Sequence, residues 1–246
     1  MTDFRINVRK WCKVFAIVLT IFMIFWVGMN LSVVFGAFNI DVNNIVDVIG
    51  DKYHNCLKMV GMIVPIIYSV SFGYLFIVDE NYIMLRYGRN RYEKKEINKV
   101  FVFSVVFASE YMGVDLLFMD IFAGVSTLSD CSYYLYMLLK FIMLIFYLTM
   151  IGMTLLFLRN IMNFSGIYVV FGGMIYVFLT ALYYIFMTIN LPAFYMGFGD
   201  EWFASHIFDS FSYIINLAKL FFASLIFRYL GKLVFLKRDI IGNEDA

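Results

Sequence analysis

Long apolar blocks alternate with brief charged ones along the whole chain. That pattern predicts membrane helices rather than the amphipathic helices or alternating strands of a soluble domain. Six blocks stand out, at about Val14 to Phe38, Leu57 to Val78, Val100 to Phe122, Tyr133 to Leu158, Ile161 to Ile189 and Phe211 to Leu236. The first follows a basic segment, the order a secretory signal also uses. A signal's apolar region is only about 7–15 residues long, and no small-residue cleavage site precedes Asn39, so the block is expected to stay as a membrane helix. Ahead of it, Phe4, Val8, Trp11 and Phe15 recur at helical spacing with Arg5, Arg9, Lys10 and Lys13 around the rest of the turn. Residues 2–13 are therefore expected to form an interfacial helix, its stripe at the headgroup boundary and its cations toward anionic membrane lipid or a partner; a plain positive flank is the alternative.

Charge gives the sidedness. Arg5, Arg9, Lys10 and Lys13 precede the first block; Arg86, Arg89, Arg91, Lys94, Lys95 and Lys99 lie between the second and third; Arg159 follows the fourth; and Arg228, Lys232, Lys237 and Arg238 end the sixth. The alternate loops hold only Lys52 and Lys58. Lys and Arg are retained on the cytoplasmic side of short loops, so both termini are expected in the cytoplasm, consistent with an even number of crossings. The whole chain, residues 1–246, reads as one all-α polytopic membrane domain with six transmembrane helices.

Composition supports this. Of the 246 residues 63% are hydrophobic and 15% charged, against roughly 45–50% and about 25% in a soluble domain, which excludes an ordinary globular protein. A net charge of +1 gives no bulk attraction to nucleic acid. Cys12, Cys56 and Cys131 are scattered, with neither a disulfide framework nor metal spacing.

Residues 79–99 form the longest cytoplasmic segment between blocks. Ile83, Met84, Leu85 and Tyr87 predict a short helix stopping at Gly88, and Asn90 with Glu93 resembles a capping box starting a helix that runs into the third span. A short transverse element rimmed by Arg86, Arg89 and Arg91 suits docking to a soluble subunit; a solvated topogenic loop is the alternative. The stretch Tyr82-Ile-Met-Leu85-Arg86-Tyr87-Gly88-Arg89-Asn-Arg91, with its R-Y-G-x-R core, resembles the first cytoplasmic loop of permease subunits of type-two, export-class ABC transporters of Gram-positive bacteria. The order of elements is similar over nearly the whole chain. The resemblance implies a coupling helix between spans two and three and a partly re-entrant outer hairpin between spans five and six, here Asn190 to Asp209 with Pro192, Gly197 and Gly199. It implies a bacterial cell-membrane location, an ABC ATPase partner in two copies, and a second permease, identical or homologous. The implied cargo is an amphipathic antimicrobial or toxic peptide, such as a lantibiotic or phenol-soluble modulin.

No phosphate-binding G-x-x-x-x-G-K-S/T loop occurs, so ATP and magnesium would belong to the partner, and this chain is expected to be non-catalytic and free of its own cofactor or metal. Gly197-Phe-Gly199-Asp200 spells the G-x-G-D of intramembrane aspartyl proteases, but in an outer loop, where the glycines more simply permit a sharp turn. His54 and His206 fall in outer loops without metal spacing.

Four charges lie within spans: Glu110, Asp115, Lys140 and Lys219. An unpaired charge at such depth costs at least about 2.5–3.5 kcal/mol, so each is expected to find a partner, and depth suggests Asp115 with Lys140 and Glu110 with Lys219. Interhelical ties and a translocation path or proton-linked gate are both open. Abundant Phe, Tyr and Met could offer a soft surface to a peptide or lipid-like cargo, or serve only packing. The sequence thus predicts an ATP-driven export permease, and the alternative is an ATPase-independent ion-coupled carrier or sensor using the intramembrane charges.

Overall fold

The computed structural model describes residues 2–36, 39–40, 52–76, 89–162, 166–186, 191–196 and 208–237, and among these there is no strand. Helix α1 spans Thr2–Met29 without interruption, so the expected interfacial segment and first span are one rod. No glycine or proline breaks the chain before Gly28. Trp11 leaves the headgroup stripe for the bundle, 5.9 Å edge-on to the Phe103 ring. The rod ends earlier than the apolar run predicts. The Asn30 side chain turns back to donate to the Trp26 carbonyl at 3.1 Å, and a short turn, Leu31–Val34, leads to Gly36 at a positive φ of 69°.

The second apolar block opens with a π-helical stretch, Cys56–Ile63, and continues as α2, Val64–Phe76. The Asn55 side chain caps it, accepting from the Leu57 and Lys58 amides at 3.0 and 2.8 Å. Helix α3 spans Arg89–Phe122, 34 residues, so the basic segment from Arg89 onward and the third span form one continuous helix, with Asn90 inside it rather than at the N-cap position that the Asn90/Glu93 pattern predicts. Helix α4 spans Tyr133–Ile161 and α5 Ile167–Phe186, the latter starting later than the apolar run because α4 continues through Arg159 and Asn160. Helix α6 spans Ser210–Lys237 and is capped by Asp209, which accepts from the Phe211 and Ser212 amides at 3.1 Å each. The Ser212 hydroxyl, and then those amide bonds, hold the Asp209 carboxyl below its usual range.

Helix α4 is the centre of the bundle, packing against α2, α3, α5 and α6, while α1 lies against α3 and α2. Aromatic side chains fill the core: Phe22 meets Phe107 and Tyr111 edge-on at 5.3 and 5.2 Å, and Tyr68 bonds Ser104 at 2.8 Å. Gly152 permits a close approach of three helices, since a Cβ there would lie 2.4 Å from Val100 and 2.7 Å from the Tyr68 hydroxyl.

Five helices are long and apolar enough to cross a bilayer, and α5 is a shorter apolar helix, a composition that fits an all-α polytopic membrane protein. Their environments differ. In α4, 61% of the apolar window is buried within the chain, but in α6 only 11% is, so α6 presents most of its circumference to lipid or another protein. Arg91, Lys94 and Lys95, Arg159, and Arg228 and Lys232 gather at one end of the bundle, hereafter the basic end.

Candidate functional site

Polar groups concentrate at two levels. Away from the basic end, Asp115 of α3 is 2% exposed and is the hub of a buried network. Trp26 of α1 donates its indole N–H to Oδ1 at 2.7 Å, His54 Nε2 lies 2.9 Å from Oδ2, and the Tyr133 hydroxyl of α4 also donates to Oδ2. The Trp26 ring is held by stacking on Phe118 at 4.5 Å, 11° from parallel. Tyr53 and Tyr111 stack at 4.6 Å, and each hydroxyl donates to the other's main-chain carbonyl, clamping the chain beside His54 onto α3.

The expected Asp115–Lys140 pair is replaced by this arrangement. Asp115 is supplied by an indole, an imidazole and a phenol, and Lys140 donates to the Tyr136 hydroxyl at 2.6 Å. Lys140 is nevertheless near enough for its charge to act on His54. Burial, and then that positive charge, lower the His54 pKa against the opposing pull of Asp115, so the imidazole is neutral near pH 7 with its Nε2–H aimed at the carboxylate. With three donors on one closed-off carboxylate, the network works as a tie joining α1, residues 53–54, α3 and α4. Among the described residues no group of three His, Cys, Asp or Glu side chains could hold a metal ion.

At the basic end, Glu96 of α3 and Arg159 of α4 form a buried ion pair, 3.1 Å apart with side chains 5% and 4% exposed. Lys99 reaches Glu96 from the surface at 2.6 Å. The Asn160 amide donates to the Gly231 carbonyl of α6 at 3.0 Å, Lys232 lies 3.8 Å from Glu93, and Tyr92 stacks on Phe235 at 6.1 Å. A crevice opens here between α3, α4 and α6.

The remaining expected residues are dispersed. Glu110 is half-buried in mid-α3, with Oε2 lacking a hydrogen-bond partner, while Lys219 is exposed on α6, 3.3 Å from Asn216 and 5.0 Å from the Tyr195 ring centroid. The expected Glu110–Lys219 pair is therefore not made: the α3–α6 contacts found among the described residues are at the basic end, where Tyr92 meets Phe235 and Glu93 meets Lys232. Of the coupling segment, Arg89 begins α3 and Arg91 is exposed; Leu85, Arg86, Tyr87 and Gly88 lie outside the described residues. Phe4 falls in the first turns of α1, and Val8 is 47% exposed. Pro192 starts a 3-10 turn, Pro192–Met196, whose Ala193 is buried near Gly61; Gly197 and Gly199 lie outside the described residues.

Trp26, His54, Tyr133, Glu96 and Arg159 had no assigned partners in the sequence. A search for depth-matched donors that included indole, imidazole and phenol groups, rather than charges alone, would have raised the first three.

Compared with protein-family models, with curated proteins and with solved structures, the chain matches none.

Proposed function

We propose that the chain is the permease subunit of an ATP-driven exporter, with the basic end in the cytoplasm and a separate ATPase docked on the segment before α3. The observation that carries this reading is the continuity of α3. It starts at Arg89, inside the basic segment that resembles an ABC-permease coupling loop, and runs unbroken to Phe122. A rigid helix of 34 residues spans about 50 Å, so displacement of its basic end is delivered to the opposite end. On the way it is tied to α4 twice, through Glu96–Arg159 and Asp115–Tyr133, so α3 and α4 move as one body. Six apolar helices make one half of a pathway, completed by a second permease, identical or homologous. The exposed face of α6 leaves room for that partner or for lipid. The cargo suited to apolar walls is an amphipathic peptide, and the chain itself hydrolyses nothing.

The test is affinity purification of the tagged chain in mild detergent, wild type against an Arg86→Glu/Arg89→Glu variant, with ATPase activity read in the eluate. A nucleotide-hydrolysing subunit arriving with the wild type and reduced at least about a hundredfold with the folded variant supports the reading, since two charge-assisted contacts contribute together about 3–6 kcal/mol. An intact wild-type protein carrying no ATPase overturns it in favour of an ion-coupled carrier or sensor.

A further inference from the structure

We infer that the basic-end crevice between α3, α4 and α6 is a binding site for an anionic phospholipid whose headgroup carries free hydroxyls. The inference needs only that this end lies at a membrane surface, and it holds whether or not the chain is an export permease.

The crevice combines three features. Its apolar wall includes Ile97, Met153, Leu156 and Phe227. It carries more positive than negative charge: Arg159 is matched by Glu96 and Lys232 lies near Glu93, but Arg228, exposed at the rim, makes no ion pair among the described residues. Deeper in, Asn160 is 9% exposed, its amide N–H committed to Gly231, and its Oδ1 is buried with no hydrogen-bond partner.

Each feature selects part of the ligand. An unmatched guanidinium takes a phosphate, and Arg159, two residues before the end of α4, places the crevice at headgroup level. The orphaned Asn160 Oδ1 is an acceptor, which a phosphate cannot satisfy and a hydroxyl can. An ammonium headgroup would also donate, but it would enter beside Arg228 and Lys232 against their charge. The apolar wall continues away from the basic end. Between its contacts with α3 at Tyr133 and Arg159 and with α6 at Phe146 and Asn160, α4 presents Thr149, Ile145, Ile142 and Leu138, half-buried to exposed. That strip offers a track for an acyl chain. A glycerol-type phospholipid satisfies the cation, the acceptor and the strip together.

The experiment titrates the purified full-length chain, in uncharged detergent, with dioctanoyl phosphatidylglycerol, dioctanoyl phosphatidylethanolamine and soluble glycerol 3-phosphate, reading the thermal midpoint. Phosphatidylglycerol is expected to raise the midpoint with an affinity at least about tenfold above that of phosphatidylethanolamine, and glycerol 3-phosphate to leave it unmoved. Arg228→Gln, at an exposed position, weakens phosphatidylglycerol binding about tenfold, whereas Lys94→Gln, an exposed cation outside the crevice, does not. Equal stabilisation by the two lipids, equal losses in Arg228→Gln and Lys94→Gln, or no stabilisation at all overturns the inference. Stabilisation by glycerol 3-phosphate as strong as by the lipid also overturns it, since the ligand would then be a soluble phosphate ester.

Discussion

Replacing Asp115 with alanine is expected to cost about 3–5 kcal/mol of stability, one of the two largest losses available from a single position. Asp115 is the common acceptor for Trp26, His54 and Tyr133, all buried. Without it three buried donors lose their acceptor, and each orphaned group costs about 1–3 kcal/mol, reduced by whatever relaxation the tie allows. The loss also reaches beyond one contact, since residues 53–54 and α1 are held to α3 through the same carboxylate. Asp115→Asn keeps one acceptor oxygen but turns an N–H₂ toward donors, and is expected to lose about half as much. Denaturant titration of the purified chain in micelles measures both. A loss under about 1 kcal/mol for Asp115→Ala would mean that the network is not a tie.

The second large effect lies at Glu96. Glu96→Ala leaves Arg159 buried without its carboxylate, and removing one partner of a buried ion pair costs about 3–5 kcal/mol. The pair itself is a weaker source of stability than that figure suggests, because both groups lost their water in forming it. A Glu96→Met/Arg159→Met variant, which removes both charges and keeps the volume, is therefore expected to return to within about 1 kcal/mol of wild type. The same titration distinguishes them. If the double variant is as unstable as the single, the stabilisation comes from other bonds of the arginine rather than from charge balance.

The helices were legible because length and apolarity suffice to mark a membrane span. That α3 runs from the basic segment into the third span was legible, although Asn90 lies inside the helix rather than capping it. Interior pairing was less so. Depth matches Lys140 with Asp115 among the four intramembrane charges, yet the carboxylate is served by side chains from Trp26, His54 and Tyr133, separated by up to 107 positions, and none is a permanent charge. Such donors are hidden in an apolar pattern, since indole and phenol rings count as hydrophobic until a buried acceptor faces them. Trp11 illustrates the converse. Its place in a stripe of Phe4, Val8 and Phe15 suits a membrane surface, but Phe76 and Phe103 offer it a packing site inside the bundle, and the helix continues straight instead of lying flat. Glu96 and Arg159 carried a similar ambiguity, because charges at the end of a span serve topology whether or not they also pair.

The orientation of the bundle underlies the whole account, and one measurement tests it most directly. With Cys12, Cys56 and Cys131 changed to serine, Lys94→Cys and Asp130→Cys place single thiols at exposed positions near opposite ends of α3 and α4. A membrane-impermeant maleimide added to intact cells is expected to label Asp130→Cys at once and Lys94→Cys only after the membrane is opened, as the positive-inside rule requires. Labelling of Lys94→Cys from outside would put the basic end on the wrong face for any cytoplasmic ATPase and contradict the export reading at its base.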